Sequence, residues 1–514
     1  MQEQYDVVVI GGGTAGLSGA LALARARRSV LVVDAGAQRN GPAAHVHNYL
    51  GREGATPAEL LATGRAEVAS YGGEVVRGTV VSATRTDDVA LRVELADGTT
   101  VRARRLLVAT GLVDELPAVP GLRERWGRDV LHCPYCHGWE VRDTAIGVLG
   151  SSPMSVHQAL LFRQWSAELT YFVHTAPGPT AEELEQLQAR GITVVHGEVA
   201  GLETADDALA GVRMATGDVV AVQALAVAPR FVARADVLAG LGLAAGPLEM
   251  GGHVLGTQVV ADPSGATTVP GVWVAGNVAD VRAGTINAAA AGLFVATGVN
   301  ADLVAEDTRQ AVAEHRATLE FFGEPAWEQR YRDRDAIWSG HPNAQLVAEV
   351  ADLTPGAALD VGSGEGADSL WLAARGWRVT GVDFCTVALE RSATHAADAG
   401  LSVTWTHADL TVWTPPARSF DLVTAQFMHL PAPVRQALYA RLAEAVTPGG
   451  TLLLVGHEPS ADHPAHAGMM FTAPELAGAL DREDWEVQVA ESRPRVDASP
   501  GGHLADVVLR ARRR

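Results

Sequence analysis

Lysine is absent: all 40 basic residues of this 514-residue chain are arginine, which excludes Schiff-base catalysis and any phosphate site built on a lysine. Cysteine is nearly absent as well. Three cysteines in a chain of this length cannot make a disulfide framework, so two of them spaced as Cys-x-x-Cys point to redox or metal chemistry instead. Acidic residues outnumber basic ones 60 to 40, and the resulting charge of −20 opposes nucleic acid as a partner, since phosphate recognition relies on basic patches. No apolar run approaches the ~20 residues of a membrane helix. The N-terminus enters a strand-like run within five residues, too soon for a signal peptide, and the expectation is a cytoplasmic protein. At roughly 100–200 residues per domain, the length predicts about three globular units.

What is present is a pair of glycine loops of different type. Tyr5-Asp6-Val7-Val8-Val9-Ile10 reads as a strand, Gly11-Gly12-Gly13-Thr14-Ala15-Gly16 as a turn, 15–27 as an alanine-rich helix, and Val30-Leu31-Val32-Val33 as a second strand ending at Asp34. Such a βαβ unit brings backbone amides to a pyrophosphate and sets its acid to accept from ribose hydroxyls. Two later segments, Leu106-Leu107-Val108-Ala109-Thr110-Gly111 and 269–277, also read as strands running into glycine turns. In this order the segments resemble the FAD-binding segments of the pyridine nucleotide-disulfide oxidoreductases, in their small thioredoxin-reductase-like branch, over about residues 1–305. The resemblance implies an α/β, Rossmann-like flavoprotein module: an FAD domain in two pieces, 1–112 and 245–305, around an inserted NAD(P)-type domain at 113–244, with a homodimer as the usual assembly. It assigns FAD binding to Gly11, Gly13, Thr14, Ala15, Gly16, Asp34, Thr110, Gly111, Gly276 and Asn277, the last standing where the family has Asp near the ribityl chain.

The insert departs from the family in its own loop, Gly150-Ser151-Ser152-Pro153-Met154-Ser155. Ser152 replaces a glycine and Ser155 a small Ala or Gly that let a pyrophosphate approach. The next strand ends Phe172-Val173-His174-Thr175-Ala176, without the arginine pair that receives the 2′-phosphate in the family. The fold is expected to persist and NADPH binding to be weakened.

Ahead of the insert stands Cys133-Pro134-Tyr135-Cys136-His137. Cys-x-x-Cys-His also matches covalent haem attachment, which requires export machinery and a haem pocket; zinc would need ligands beyond His132 and His137, which adjoin the cysteines too closely to wrap one tetrahedral ion. A purely structural pair is the third alternative. Redox chemistry is favoured by position, because the pair precedes the insert's first strand as in thioredoxin reductases, where the resemblance sets Cys136 against the flavin and Cys133 toward the substrate. His137 replaces a family Asp that moves protons; an imidazole can do that work near neutral pH, or can sit as a hydrogen-bonded turn residue. His45, His47 and Asn48 either face the flavin or belong to a surface loop. Cys133 to Gly138 with an altered NADPH loop resembles flavin dithiol oxidases that close disulfides in small natural products, with oxygen as final acceptor.

After the helical stretch 307–319 and the seam Gly323-Glu324-Pro325, 306–322 reads as a linker and 323–514 resembles a class I S-adenosylmethionine (SAM) methyltransferase, again Rossmann-like. The resemblance assigns SAM binding to Asp360, Gly362, Gly364 and Gly366 of the loop, Asp383 for the ribose and Asp409 for the adenine amino group; Pro448-Gly449-Gly450 precedes the fifth strand. Trp327, Tyr331 and Trp338 are either a lid, as in methyltransferases resembling those of thiopurines and thiols, or core packing. His429 and His341 are candidate proton acceptors, and Cys385 a small buried residue. No His/Asp/Glu set has metal-ligand spacing.

These readings combine into a bifunctional enzyme acting on low-molecular-weight thiols, one site oxidising a dithiol and the other methylating sulfur. Two alternatives stay open: an NADPH-dependent reductase of thioredoxin or small disulfides fused to an unrelated small-molecule methyltransferase, and a flavin redox sensor that gates methylation.

Overall fold

A computed structural model describes residues 2–86, 90–250, 252–459, 468–495 and 505–514, and the chain divides into units 1–309 and 310–514. In the first unit the fully buried runs Val7–Ile10 and Val30–Val33 become neighbouring parallel strands, because a strand covered on both faces needs apolar residues at every position. Gln4–Ile10 lies between Val30–Asp34 and Thr100–Val108, and Glu74–Arg77 extends the sheet at one edge. The long strand Thr100–Val108 serves two partners: its early residues pair antiparallel with Leu91–Leu95, and Leu106 to Val108 pair parallel with Val272–Val274. This delivers the turns at Gly11, Thr110 and Gly276 to one end of the sheet.

A second parallel sheet runs in the order Thr193–Val195, Leu169–Phe172, Ile146–Leu149, Ala224–Val227 and Val130–Leu131. Two smaller sheets complete the unit: Leu112–Glu115 and Arg230–Ala233 pair antiparallel and join Ala245–Met250 and His253–Val259 in a sheet of four, and Val199–Ala205, Ala208–Met214 and Val219–Val220 form a sheet of three.

Helix Thr285–Phe322 changes one expectation. Its portion Thr285–Ala317 is long and apolar enough to cross a membrane by length and composition. Alanine and glycine dilute its larger apolar residues, so the sequence shows no long run of them there. One face, with Val295, Ala296, Val299 and Leu303, is packed into the core of the first unit, where Leu107 and Trp273 also lie. Residues 306–322 continue the same helix.

The second unit holds a sheet of seven, in the order Val403–His407, Arg378–Asp383, Ala357–Val361, Phe420–Gln426, Val446–His457, Ala505–Arg513 and Trp485–Pro494. The first five are parallel. Pro448-Gly449-Gly450 falls within the fifth strand rather than before it. The register slips there, with Phe420 facing Val446 and Leu422 facing Thr451, and Gly449 takes φ +81°, which a glycine accepts without strain.

Candidate functional sites

A cavity of about 950 Å³ opens in the first unit at the end of the sheet where the three turns meet. Gly11, Gly13, Thr14, Ala15, Asp34, Thr110, Gly111 and Asn277 all line it, together with Cys133, Cys136 and His137. The glycine loop is built for two purposes. A Cβ on Gly13 would meet nothing within 4 Å, so that face is open for a bound group; one on Gly16 would lie 1.9 Å from the Gly11 carbonyl oxygen, so Gly16 closes the turn without lining the cavity. Gly276 likewise supports from behind, its Cβ position 2.8 Å from that of Ala15. An open cradle, an acid at the second strand's end and a cavity of this size fit FAD.

Asn277 lines the wall with its amide already engaged. Its Nδ2 donates to the carbonyls of Asp280 and Ala283, both at 2.9 Å, and its Oδ1 accepts from Arg39 at 3.3 Å. Arg39 forms a two-pronged pair with Asp114 at 2.8 and 2.7 Å and lies over the Phe231 ring. Neither Arg39 nor Asp114 was found from the sequence. They are 75 residues apart, one in a loop and one in a short strand, and no motif spacing joins them.

Cys133 caps the four-residue helix Pro134–His137, and both cysteines are free thiols. A hydrogen bond from the Cys136 thiol pulls the Cys133 thiol down to about 7, with help from the Cys136 and Tyr135 amides and the charge of Arg39, against the opposing effect of burial. Cys136 moves upward because it supplies that hydrogen bond and is buried. Burial lowers His137, and neither of its buried ring nitrogens has a hydrogen-bond partner among the described residues. A neutral, unpartnered imidazole in a cavity wall is suited to take a proton from a molecule that enters.

His45, His47 and Asn48 do not line the cavity. His47 bridges Glu53 and Glu140 at 2.5 and 3.3 Å, and Asn48 donates to the Tyr135 carbonyl at 2.6 Å, tying this loop to the cysteine segment. His132 does line the cavity; burial lowers it, its Nδ1 lies 3.1 Å from the Val227 carbonyl, and its ring is set edge-on to Phe231.

The insert's loop is filled from within. Ser155 is wholly buried, and its Oγ accepts from the backbone amides of Ser151 and Ser152 at 3.2 and 3.1 Å. Those amides are the donors a pyrophosphate would use. His174, at the position of the missing arginine pair, turns inward and accepts from the Val199 amide.

In the second unit Asp360 is buried and takes the Ser369 hydroxyl at 2.6 Å; burial raises its pKa. Asp383 is also buried and raised by burial, and it holds the loop directly, Oδ2 accepting from the Gly364 amide and Oδ1 from the Cys385 amide, both at 2.9 Å. Met428 crowds Gly362, Trp405 crowds Gly366, and Trp338 and Tyr331 cover Gly364. The aromatic segment is tied down as well as packed: Trp338 Nε1 donates to the Tyr331 hydroxyl, and buried Glu365 accepts from the Ile337 and Trp338 amides while pairing with Arg391 at 2.8 Å. A buried acid holding a glycine loop under an aromatic cover fits SAM. Asp409 is exposed and closes its own turn by accepting from Thr411. Cys385 is fully buried, and burial pushes its thiol up to about 11. His429 accepts the His457 backbone amide at Nε2, and His341 is exposed. No group of three or more His, Cys, Asp or Glu able to hold a metal occurs among the described residues.

Residues 5–292 match the family model for pyridine nucleotide-disulphide oxidoreductases, and residues 358–450 that for a methyltransferase domain. Among solved structures the chain is similar to HlmI, with 45% identity and a TM-score of 0.58 over 63% of this chain and 99% of the other. It is similar also to the oxidoreductase from Agrobacterium tumefaciens, with 36% identity and a TM-score of 0.55 over 59% and 99%. Thioredoxin reductase sirT of Leptosphaeria maculans is 30% identical over 59% of this chain and 95% of its own length. A relative from Arthroderma benhamiae and thioredoxin reductase tcpT of Claviceps purpurea are matched over only 38% and 50% of their lengths.

Proposed function

The chain belongs to the pyridine nucleotide-disulphide oxidoreductases and carries a methyltransferase domain behind that module, and from this premise we propose a bifunctional enzyme that oxidises a small dithiol to its disulfide and methylates the sulfur of a small thiol. The observation that carries the redox direction is the pairing of an accessible cysteine pair with a nucleotide loop whose amides are taken up by Ser155. Electrons then enter from the thiol side and leave to oxygen.

With Cys133 and Cys136 joined as a disulfide, a substrate thiolate attacks the Cys133 sulfur, breaking the bond and releasing Cys136. The second substrate thiolate attacks the substrate sulfur of that mixed disulfide, forming the product disulfide and expelling the Cys133 thiolate. Its lowered pKa makes Cys133 a good leaving group. His137 accepts a substrate proton at a ring nitrogen, and Arg39 stabilises the anionic sulfur through space. FAD, when bound, supplies the acceptor for the two electrons left on the cysteine pair. In the second unit SAM, when bound, supplies an electrophilic methyl group. Asp383 and the loop Gly362 to Gly366 position that donor, and Tyr331 and Trp338 shield it from water.

The test is an anaerobic flavin spectrum with NADPH in one cuvette and a small dithiol in another. Slow or absent bleaching by NADPH is expected, with bleaching by dithiol that is lost in Cys136→Ser and yellow colour restored by air. Rapid stoichiometric bleaching by NADPH with no response to dithiols overturns the proposal in favour of a reductase.

A further inference from the structure

Several buried polar atoms that lack a hydrogen-bond partner among the described residues gather at one end of the second unit's sheet. Ser363 Oγ follows the strand Ala357–Val361, Gln426 Oε1 ends the neighbouring strand Phe420–Gln426, and Asp506 Oδ1 lies on Ala505–Arg513 opposite His457, the last residue of Val446–His457. The order of the parallel strands reverses between the first two of these strands. In open α/β sheets that reversal opens a crevice at the carboxyl ends where ligands bind. A molecule entering beside the glycine loop meets this end of the sheet.

Arg495 reaches the same end from the sheet's far edge. It follows the edge strand Trp485–Pro494, and its half-buried side chain crosses Ala505–Arg513 to lie over the Phe427 ring at 5.1 Å, with Nη1 3.2 Å from both ring nitrogens of His457. Phe427 comes directly after Gln426, and its φ of +54°, unusual for a bulky residue, brings its ring 4.4 Å from that of His457. Asp506 Oδ1 stands 3.4 Å from His457 Nδ1, so the imidazole meets an acid as well as the guanidinium. The cation itself is not neutralised. Arg493, two residues earlier, pairs with Glu349 and Glu491, and Arg510 on the next strand pairs with Glu349 and Asp352, whereas Arg495 pairs with no carboxylate among the described residues.

The edge of the guanidinium that is left over decides the chemistry of its ligand. Arg39 grips Asp114, and Arg125 grips Asp129, through Nε and Nη2, the two donors that lie parallel on one side of the group. Arg495 uses Nη1 on His457 and keeps Nε and Nη2 without a partner among the described residues. We propose that the methyl acceptor of this unit carries a carboxylate, received by Arg495 through Nε and Nη2. This rests on the thiol-acceptor reading above and makes the acceptor a mercapto acid. A neutral amide of the same shape is a poor substitute, because it offers one acceptor oxygen where the fork takes two. Phe427 and His457 hold the guanidinium in place, and Arg495 acts on the end of the substrate away from the reacting sulfur. Arg495 lies beyond the 358–450 methyltransferase match, so the assignment owes nothing to it.

The full-length protein is assayed for methyl transfer from SAM to mercaptopropionate and to its amide, mercaptopropionamide. The wild type should favour the acid by about tenfold or more in kcat/KM. Arg495→Gln should raise KM for the acid by on the order of 10- to 100-fold with kcat nearly unchanged, since the lost contact is the same in the ground and transition states. The amide should be unaffected. Arg495→Lys keeps the charge without the fork and should fall between the two. Calorimetric SAM binding equal to wild type reports that a variant is folded. Should Arg495→Gln no longer bind SAM, the decision passes to Arg495→Lys, whose loss must then fall on the acid alone or the assignment is wrong. Equal kcat/KM for acid and amide in the wild type, or equal losses on both in the variant, overturn the carboxylate site. Failure of the wild type to methylate either compound overturns the thiol-acceptor reading itself. Calorimetry with methylthiopropionate then decides the site: it must bind the wild type about tenfold more tightly than Arg495→Gln, or the carboxylate assignment falls as well.

Discussion

Ser155 holds the amide of Ser152 at 3.1 Å with its own hydroxyl, in the place where a dinucleotide-binding loop would hold a phosphate. The same oxygen takes the Ser151 amide, and the loop is satisfied without a ligand. Ser155→Ala should therefore cost about 1 kcal/mol of stability, the ordinary value of a lost capping hydroxyl, and should not create rapid reduction by NADPH, because no arginine pair follows Phe172. Thermal unfolding with stopped-flow flavin reduction checks both; fast reduction in the variant would make Ser155 the main barrier.

Cys133 should be the reactive thiol of the reduced enzyme. Its pKa is drawn down to about 7 while Cys136 moves up, so the thiolate fraction grows as pH rises through neutrality and only one of the pair ionises there. Alkylation by iodoacetamide should rise about tenfold between pH 6 and pH 8 and then level off. Peptide mass mapping should find the label on Cys133. Arg39→Met should move the profile upward by less than about one unit; labelling confined to Cys136 would reverse the two roles.

Gly13 and Gly16 separate cofactor binding from folding. Gly13→Asp should fold normally and be colourless, because its side chain points into open cavity and would place a carboxylate against the pyrophosphate. Gly16→Ala should destabilise by more than about 2 kcal/mol, since its Cβ would sit 1.9 Å from the Gly11 carbonyl oxygen. Circular dichroism melting alongside absorbance of bound flavin distinguishes them, and a yellow Gly13→Asp protein would contradict the loop assignment.

Asp383→Ala should weaken SAM binding by about 1–3 kcal/mol, because it removes a charged acceptor and frees the Gly364 amide it fixes. Flavin reduction by dithiol should be untouched. Calorimetry with SAM, and no change in flavin absorbance, is the expected pair of results; unchanged SAM affinity would place the ribose elsewhere.

The strands around both glycine loops were legible because a strand buried on both faces must be written as a continuous apolar run. Val7-Val8-Val9-Ile10 beside Gly11 is such a run, and Ala357–Val361 beside Gly362 is interrupted only by Asp360. The cysteine pair was legible for a similar reason, since Cys133 and Cys136 are joined by local spacing and a four-residue helix. Local sequence determined these features by itself.

Tertiary structure alone decided the rest. Arg39 with Asp114 and Asn277, and His457 with Asp506 and Arg495, are drawn from elements far apart in the chain, and each side chain taken singly is an ordinary polar residue. The serine in the insert's loop was visible, but whether Ser155 would point outward or take the loop's amides depended on its being buried there. Periodicity records which face of an element is covered. The partners a polar group finds across the sheet depend on how the crossovers bring strand ends together, and no spacing in the sequence encodes that distance.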